Sequence, residues 1–417
     1  MLTRKTCRVC DGSLEPVISL GEHYVSDFIA PGESDGVKSP LDLVLCRRCR
    51  LLQLKHTIPG DVMYRNYWYR SGTNLTMRNA LADIANKAEH LVHLKEGDSV
   101  LDIGCNDGTL LGCYATGGIF RIGVDPAENL ARFSRPYADH LTVGYFEADP
   151  FLKDPELADR RPKIVTSIAM FYDLEDPNTF VSDIRKVMHP DGLWILQMSY
   201  LSLMLKTHEL GNICHEHLEY YSLRSFEYLL HRHGFEVVDL ELNNVNGGSL
   251  RAYIRNRNAD PHTFADETYR GLAADRIASI REEESRLELD TSAPYIEFAT
   301  WVERIKNDVV GFIREEAGRG KKVYVYGAST KGNTLLQYFG LDRTLITAAA
   351  ERNKDKWGRM TVGTRIPIVS EEEARAAKPD YFLVLPWHFL EEFLAREKQY
   401  LLGGGRFIVP MPHFTLI

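Results

Sequence analysis

The chain has 417 residues, enough for about two or three domains, and is 44% hydrophobic and 26% charged, an ordinary globular balance. Fifty Lys and Arg against 58 Asp and Glu leave a formal net charge of -8, which argues against a bulk nucleic-acid binder, because such proteins carry a basic surplus. No apolar run approaches the roughly 18 residues that a membrane-spanning helix needs, and Met1 to Ser13 lacks the apolar stretch of a signal peptide, so a cytoplasmic protein is expected.

Residues 1–75 come first and hold two CxxC pairs, which use four of the seven cysteines. Each pair presents two thiolates to one cation, and two pairs complete a tetrahedral site with no open position. A structural zinc ion on Cys7, Cys10, Cys46 and Cys49 is therefore expected. An aromatic stretch from Tyr64 to Tyr69 leads out of this module. Apolar Leu75, Met77, Leu81, Ile84, Ala88 and Leu91 then recur at helical spacing and predict a helix over 75–94.

Strands follow at Ser99–Ile103, Arg121–Val124, Ile164–Ser167 and Leu193–Met198, with helices between them, a pattern that implies a covered parallel sheet. The first strand ends in Asp102, and Gly104 and Gly108 allow a tight turn that brings a ligand against backbone N–H groups. About twenty residues on, Asp125 and Pro126 end the next strand, where a carboxylate suits the two ribose hydroxyls of an adenosine. Cys105 and Asn106 follow Gly104, so the second glycine that admits a pyrophosphate is missing, and Asp107 would face the phosphates. The acidic turn suits a cationic sulfonium, which favours S-adenosylmethionine over NAD. Ala169 and Met170, after the third strand, sit where such domains line the methyl donor.

Residues 213–222 concentrate Cys214, His215, Glu216, His217, Tyr220 and Tyr221 after the fourth strand. A His can act as general base near neutral pH, and an adjacent Glu can orient it or stabilise its charged form. Tyr67 to Gly72 forms a second aromatic and polar cluster. From about 261 to 320 the chain is charged and helical, with Asp275–Leu289 and Tyr295–Ala317 reading as a helical hairpin. A second α/β pattern closes the chain, with strands at Lys322–Tyr326, Leu345–Ala350, Tyr381–Leu385 and Arg406–Val409.

The order of four-cysteine module, D-x-G-C-N-D-G turn, H-E-H segment, Asn246 to Arg251 (N-G-G-S-L-R) and Tyr326 to Gly332 (Y-G-A-S-T-K-G) resembles the nucleotide-sugar C-methyltransferases, over essentially the whole chain. The nearest type methylates C-3′ of TDP-4-keto-deoxysugars. The resemblance implies a zinc module over 1–75, a class I Rossmann-like methyltransferase domain over 76–258, and a helical hairpin plus second Rossmann-like domain over 259–417. It implies that His217 removes the proton next to a ketone, with Glu216 as its acidic partner and Tyr69 at the sugar. It places Asp173, Tyr221, Asn246, Gly247, Arg251, Gly327, Ser329 and Lys331 in the acceptor site. Cys214 and His215 stand where the family has Tyr and Asp, and Asp173 where it has a His, so His215 is a second candidate base. The nucleotide could be TDP, GDP or another, the oligomeric state is not readable, with a monomer compatible, and a non-sugar carbon or nitrogen acceptor is the alternative.

Overall fold

A computed structural model describes residues 1–65, 67–260 and 264–417; Pro261, at the expected start of the helical region, lies outside them. The N-terminal module contains β1 (Leu14–Tyr24), β2 (Phe28–Ile29), β3 (Lys38–Cys46) and β4 (Leu52–Leu54). β1, β3 and β4 pair antiparallel, and the alternation in β3 buries Leu41, Leu43 and Leu45. Each cysteine pair closes the same turn. Asp11 and Arg50 take left-handed conformations just after the pairs and donate their N–H groups to Cys7 O and Cys46 O.

α1 (Leu75–Val92) starts at Asn74, whose side chain accepts the Thr76 N–H, and buries Met77, Leu81, Ile84, Ala88 and Leu91, the stripe seen in the sequence. It is followed by β5 (Ser99–Ile103), β6 (Phe120–Asp125), β7 (His140–Val143), β8 (Ile164–Ile168), β9 (Leu193–Ser199), β10 (Glu219–Tyr220), β11 (Phe235–Asn243) and β12 (Ser249–Asn256). Seven of these form a sheet in the order β11-β12-β9-β8-β5-β6-β7, parallel except for β12. The order reverses at β5, so a ligand crevice is expected at its carboxyl end.

α2 (Glu267–Arg286) and α3 (Ala293–Gly318) do not fold onto each other as the expected hairpin does. Ile277 and Ile280 of α2 enter the core of the seven-stranded sheet, whereas Phe298, Val302, Val309 and Ile313 of α3 join the core of the N-terminal module and the last sheet. Each apolar stripe is satisfied by a different domain, and the helix pair bridges them. The last domain holds β13 (Val323–Tyr326), α4 (Thr330–Phe339), β14 (Ala349–Glu351), β15 (Met360–Thr361), β16 (Ile368–Ser370), β17 (Tyr381–Val384), β18 (Arg406–Val409) and β19 (Thr415–Leu416). Its sheet runs β16-β14-β13-β17-β18-β19, parallel except for β19. The strand expected from Leu345 begins only at Ala349, because Asp342 caps a turn through Thr344 and Ile346.

The N-terminal module is stitched to both α/β domains: β10 pairs with β4, and β15 pairs with β2. No helix among the described residues is long and apolar enough to cross a membrane.

Candidate active site

A cavity of about 870 Å³ lies where the carboxyl ends of the two parallel sheets face each other, and Tyr64 and the Tyr67–Arg70 segment wall a third side. That volume lies in the upper part of the range of small-molecule sites.

The donor half is built on the β5 turn. Gly104 has φ +75°, and a Cβ there would fall 2.9 Å from Met170 Cγ, so only glycine fits. Asp102 is buried and accepts the Thr166 hydroxyl at 2.6 Å; burial nevertheless pushes its pKa up to about 7. Asp125 ends β6 and accepts the Asn106 N–H at 2.7 Å on one oxygen and the Ala127 N–H at 2.8 Å on the other. One lone pair per oxygen is left over, matched to a pair of ribose hydroxyls. Pro126, Ala169 and Met170 also line this half, and Ala169 holds φ +55° after β8, a strained conformation for a side chain.

Two of the expected donor residues face elsewhere. Asp107 does not line the cavity; it accepts the Gly72 N–H at 2.9 Å and the Thr109 hydroxyl at 2.6 Å. Gly108 backs onto Ser134, where a Cβ would meet Ser134 Cα at 2.9 Å. Asn106 lines the cavity, and its side chain accepts the Ser71 N–H and donates to Tyr69 O. Asn106 and Asp107 thus fasten the Tyr69–Gly72 segment over the turn.

The H-E-H segment is held between two sheets. Leu218 donates its N–H to Tyr172 O at 2.7 Å, Leu54 donates to Leu218 O at 2.8 Å, and β10 continues the pairing with β4. His217 Nδ1 lies 2.8 Å from Asn212 O. A carbonyl can only accept, so Nδ1 carries the proton and Nε2 keeps its lone pair. The ring packs on Tyr172 at 4.3 Å. Burial, followed by the Lys331 charge, holds the imidazole well below its ordinary pKa. Glu216 moves the other way: burial outweighs the Lys331 charge and raises its carboxyl to about 7. Lys331 reaches across from α4 and donates to Asn212 Oδ1 at 2.6 Å, so one asparagine joins the cation to the histidine.

Glu216, His217, Tyr69, Asp173, Asn246, Gly327, Ser329 and Lys331 all line the cavity, but four expected residues do not. His215 is swung away by the turn at Cys214–Glu216; its Nε2 lies 2.9 Å from Ser39 O, and burial lowers its pKa to about 4. Tyr221 is fully buried against Phe171 and Phe226, while its neighbour Tyr220 donates to Asn212 O beside His217. Successive residues of a strand face opposite ways, which puts Tyr220 and not Tyr221 near the site. Arg251 binds Gln197 and pairs with Asp83 and Glu241 on the α1 side of the sheet. Gly247 lies behind the wall, against Glu209. The sequence reading missed Glu209 and His388 in the cavity and Asn212 behind it; none belongs to a repeated spacing.

In the C-terminal half, Gly327 has φ +86°, and a Cβ there would meet Pro386 Cγ at 2.8 Å. Ser329 caps α4 by accepting the Gly332 N–H at 3.0 Å. Glu351 stands at the end of β14 as Asp125 does at the end of β6. Its oxygens are already taken by the N–H groups of Ala328, Arg352 and Asn353, with Lys356 Nζ at 3.6 Å. This half therefore repeats the turn, but the carboxylate at the end of β14 is not free for a ribose.

The four cysteines are buried, and their sulfurs lie within 4.8 Å of one another. Cys7 and Cys49 are 3.5 Å apart and Cys10 and Cys46 3.4 Å, near the roughly 3.8 Å that tetrahedral zinc–thiolate bonds of about 2.3 Å require. The N–H groups of Val9 and Arg48 and the Gln53 amide point at sulfurs, as thiolates demand. The donor set fits zinc.

Three family models match in succession: a zinc binding domain over residues 7–64, a methyltransferase domain over 74–240 and a C-methyltransferase C-terminal domain over 244–412. C-methyltransferase NovU of Streptomyces niveus is 33% identical over 418 residues, covering 99% of this chain and 96% of that protein. Ubiquinone biosynthesis O-methyltransferase of Idiomarina loihiensis is 31% identical over 125 residues, 29% of this chain and 50% of its own. Among solved structures, magnesium protoporphyrin IX methyltransferase (ChlM) from Synechocystis PCC 6803 with bound SAH is 15% identical with a TM-score of 0.33, covering 44% of this chain and 88% of that one. Matched along nearly its whole length by one relative and by three domain models in order, this chain belongs to the S-adenosylmethionine-dependent C-methyltransferases that carry an N-terminal zinc-binding domain.

Proposed function

We propose that the enzyme methylates a nucleotide-linked 4-ketosugar at the carbon beside the ketone, C-3′, with the chain divided into domains at 1–75, 76–258 and 259–417. The observation that carries this reading is the shared cavity: a histidine with a free Nε2 stands between the donor turn and a cationic helix start from the C-terminal domain. The donor, when bound, supplies an electrophilic methyl group on a sulfonium.

Asp125 holds the donor's ribose, and the Gly104 turn admits its amino-acid end. His217 Nε2 takes the proton from the carbon next to the ketone, and the C–H electron pair becomes the enolate. Lys331 stabilises the enolate oxygen from its position beside Asn212. The enolate carbon then forms the new C–C bond as the methyl–sulfur bond breaks. Glu216 offsets the charge of the imidazolium until the proton leaves to water. The N–H groups of Ser329, Thr330 and Lys331 at the start of α4 favour the diphosphate. Tyr69 closes the sugar side.

The test is turnover with TDP-4-keto-6-deoxyglucose. We expect S-adenosylhomocysteine together with a sugar nucleotide heavier by one methyl, and, with the methyl donor left out, deuterium wash-in at C-3′ of the ketosugar from heavy water. S-adenosylhomocysteine formed only with a non-sugar acceptor would sink the proposal. Separately, Asp125→Ala is expected to weaken S-adenosylmethionine binding by roughly 10- to 100-fold in calorimetry, the loss of a charged hydrogen-bond pair to the ribose. An unchanged affinity would remove Asp125 from the donor site.

A further inference from the structure

Glu209 is only 2% exposed, yet it lines the cavity. It sits between two glycines: a Cβ on Gly247 would fall 2.7 Å from Glu209 Oε2, and one on Gly211 would fall 3.0 Å from Oε1. Lys331 Cβ and the Trp387 ring pack against the same Gly211 position, which places the carboxylate beside the acceptor end of the cavity. The carboxylate takes a hydrogen bond from the Trp387 side chain, while among the described residues its Oε2 has no hydrogen-bond partner. A buried carboxylate oxygen left without a partner is costly, and folded proteins rarely keep one without a use. Here two glycines hold room for it, and one is Gly247 of the N-G-G-S-L-R stretch.

We propose that Glu209 is an acceptor-binding residue, taking a hydrogen bond from a hydroxyl of the acceptor and selecting for acceptors that carry it. The Lys331 charge acts directly on Glu209, so a second cation such as an amino group is disfavoured there and a neutral hydroxyl fits. Burial raises the carboxyl to about 7, against the Lys331 charge and the Trp387 hydrogen bond, and the unpartnered Oε2 is the oxygen left for a ligand. The inference rests on the ketosugar reading and adds to it the group that is recognised.

The test is Glu209→Gln in the full-length, zinc-bound enzyme at pH 8, with S-adenosylmethionine saturating and TDP-4-keto-6-deoxyglucose as the probe. We expect kcat/KM for the probe to fall roughly 10- to 150-fold, with S-adenosylmethionine affinity unchanged and Tm equal to or above wild type, because a buried charge has been removed. A kcat/KM within threefold of wild type overturns the inference, as does a drop in Tm of several degrees with loss of donor affinity, the mark of a structural role. If the wild-type enzyme leaves the probe untouched, the ketosugar reading falls by itself. The Tm comparison then decides for Glu209: a rise keeps it as a residue reserved for a ligand, and a fall overturns it.

Discussion

His217→Gln is expected to lower kcat by roughly 10²- to 10⁴-fold while leaving S-adenosylmethionine affinity within a few-fold of wild type. The size follows from what is lost. The carbon acid has no intrinsic nucleophilicity until a proton is removed, and Nε2 is the free nitrogen left when Nδ1–H is anchored on Asn212 O. Glutamine keeps a polar side chain in the same space, so the packing on Tyr172 changes little. The pH profile separates the two members of the pair. His217 is held well below its ordinary pKa and stays neutral through an ordinary assay range, so it contributes no limb near pH 7. Glu216, raised to about 7 by burial, is ionised above that value and protonated below it. Its ability to balance an imidazolium is therefore present at high pH and fades as pH falls through about 7. We expect kcat to decline on that side and the decline to vanish in Glu216→Gln. A limb that survives in Glu216→Gln would assign it to another group, and a His217→Gln enzyme with near wild-type kcat would remove His217 from the chemistry.

The second large effect is loss of zinc. Cys46→Ser, or exhaustive chelation, is expected to lower Tm by roughly 10 °C or more, since structural zinc contributes on the order of 10 kcal/mol of apparent binding energy at pH 7. The damage should reach the reaction itself. Cys46 ends β3, and β4, six residues on, pairs with β10, which starts two residues after His217. Arg8, between Cys7 and Cys10, donates to Leu54 O at 2.6 Å and lies 3.8 Å from Glu219. The metal therefore fixes the strand against which the H-E-H segment is laid. We expect kcat to fall more than donor affinity in the zinc-free protein, because the Gly104 turn rests on the seven-stranded sheet. Metal analysis alongside kcat and calorimetry checks this; a zinc-free enzyme with unchanged kcat would show that the module does not position His217.

Local pattern carried much of the architecture. The strands at Ser99–Ile103 and Arg406–Val409 fall where the apolar runs place them, because turns bound each run closely. The cysteine pairs and the Gly104 turn are legible for a similar reason: their chemistry depends on neighbours a few residues apart, and the spacing alone brings them together. The course of α2 and α3 was not legible, since two amphipathic helices in succession do not say which surface each will cover.

The site divides along the same line. His217, Glu216, Lys331 and Asp125 could be named from motifs, and they meet in one cavity. Their immediate neighbours could not be sorted, because direction in an irregular segment is set from far along the chain. Ser39, 176 positions away in sequence, draws His215 out of the site, and Asp83 and Glu241 hold Arg251 on the far side of the sheet. Glu209 carries no motif at all and becomes visible only where two glycines from separate turns close around it. The sequence by itself determined the zinc ligands and the donor turn, each a short-range arrangement of backbone and spacing, and left His215 and His217 both as candidate bases. The tertiary structure alone decided which side chains enter the acceptor cavity, because that depends on contacts among three domains whose residues no local pattern relates.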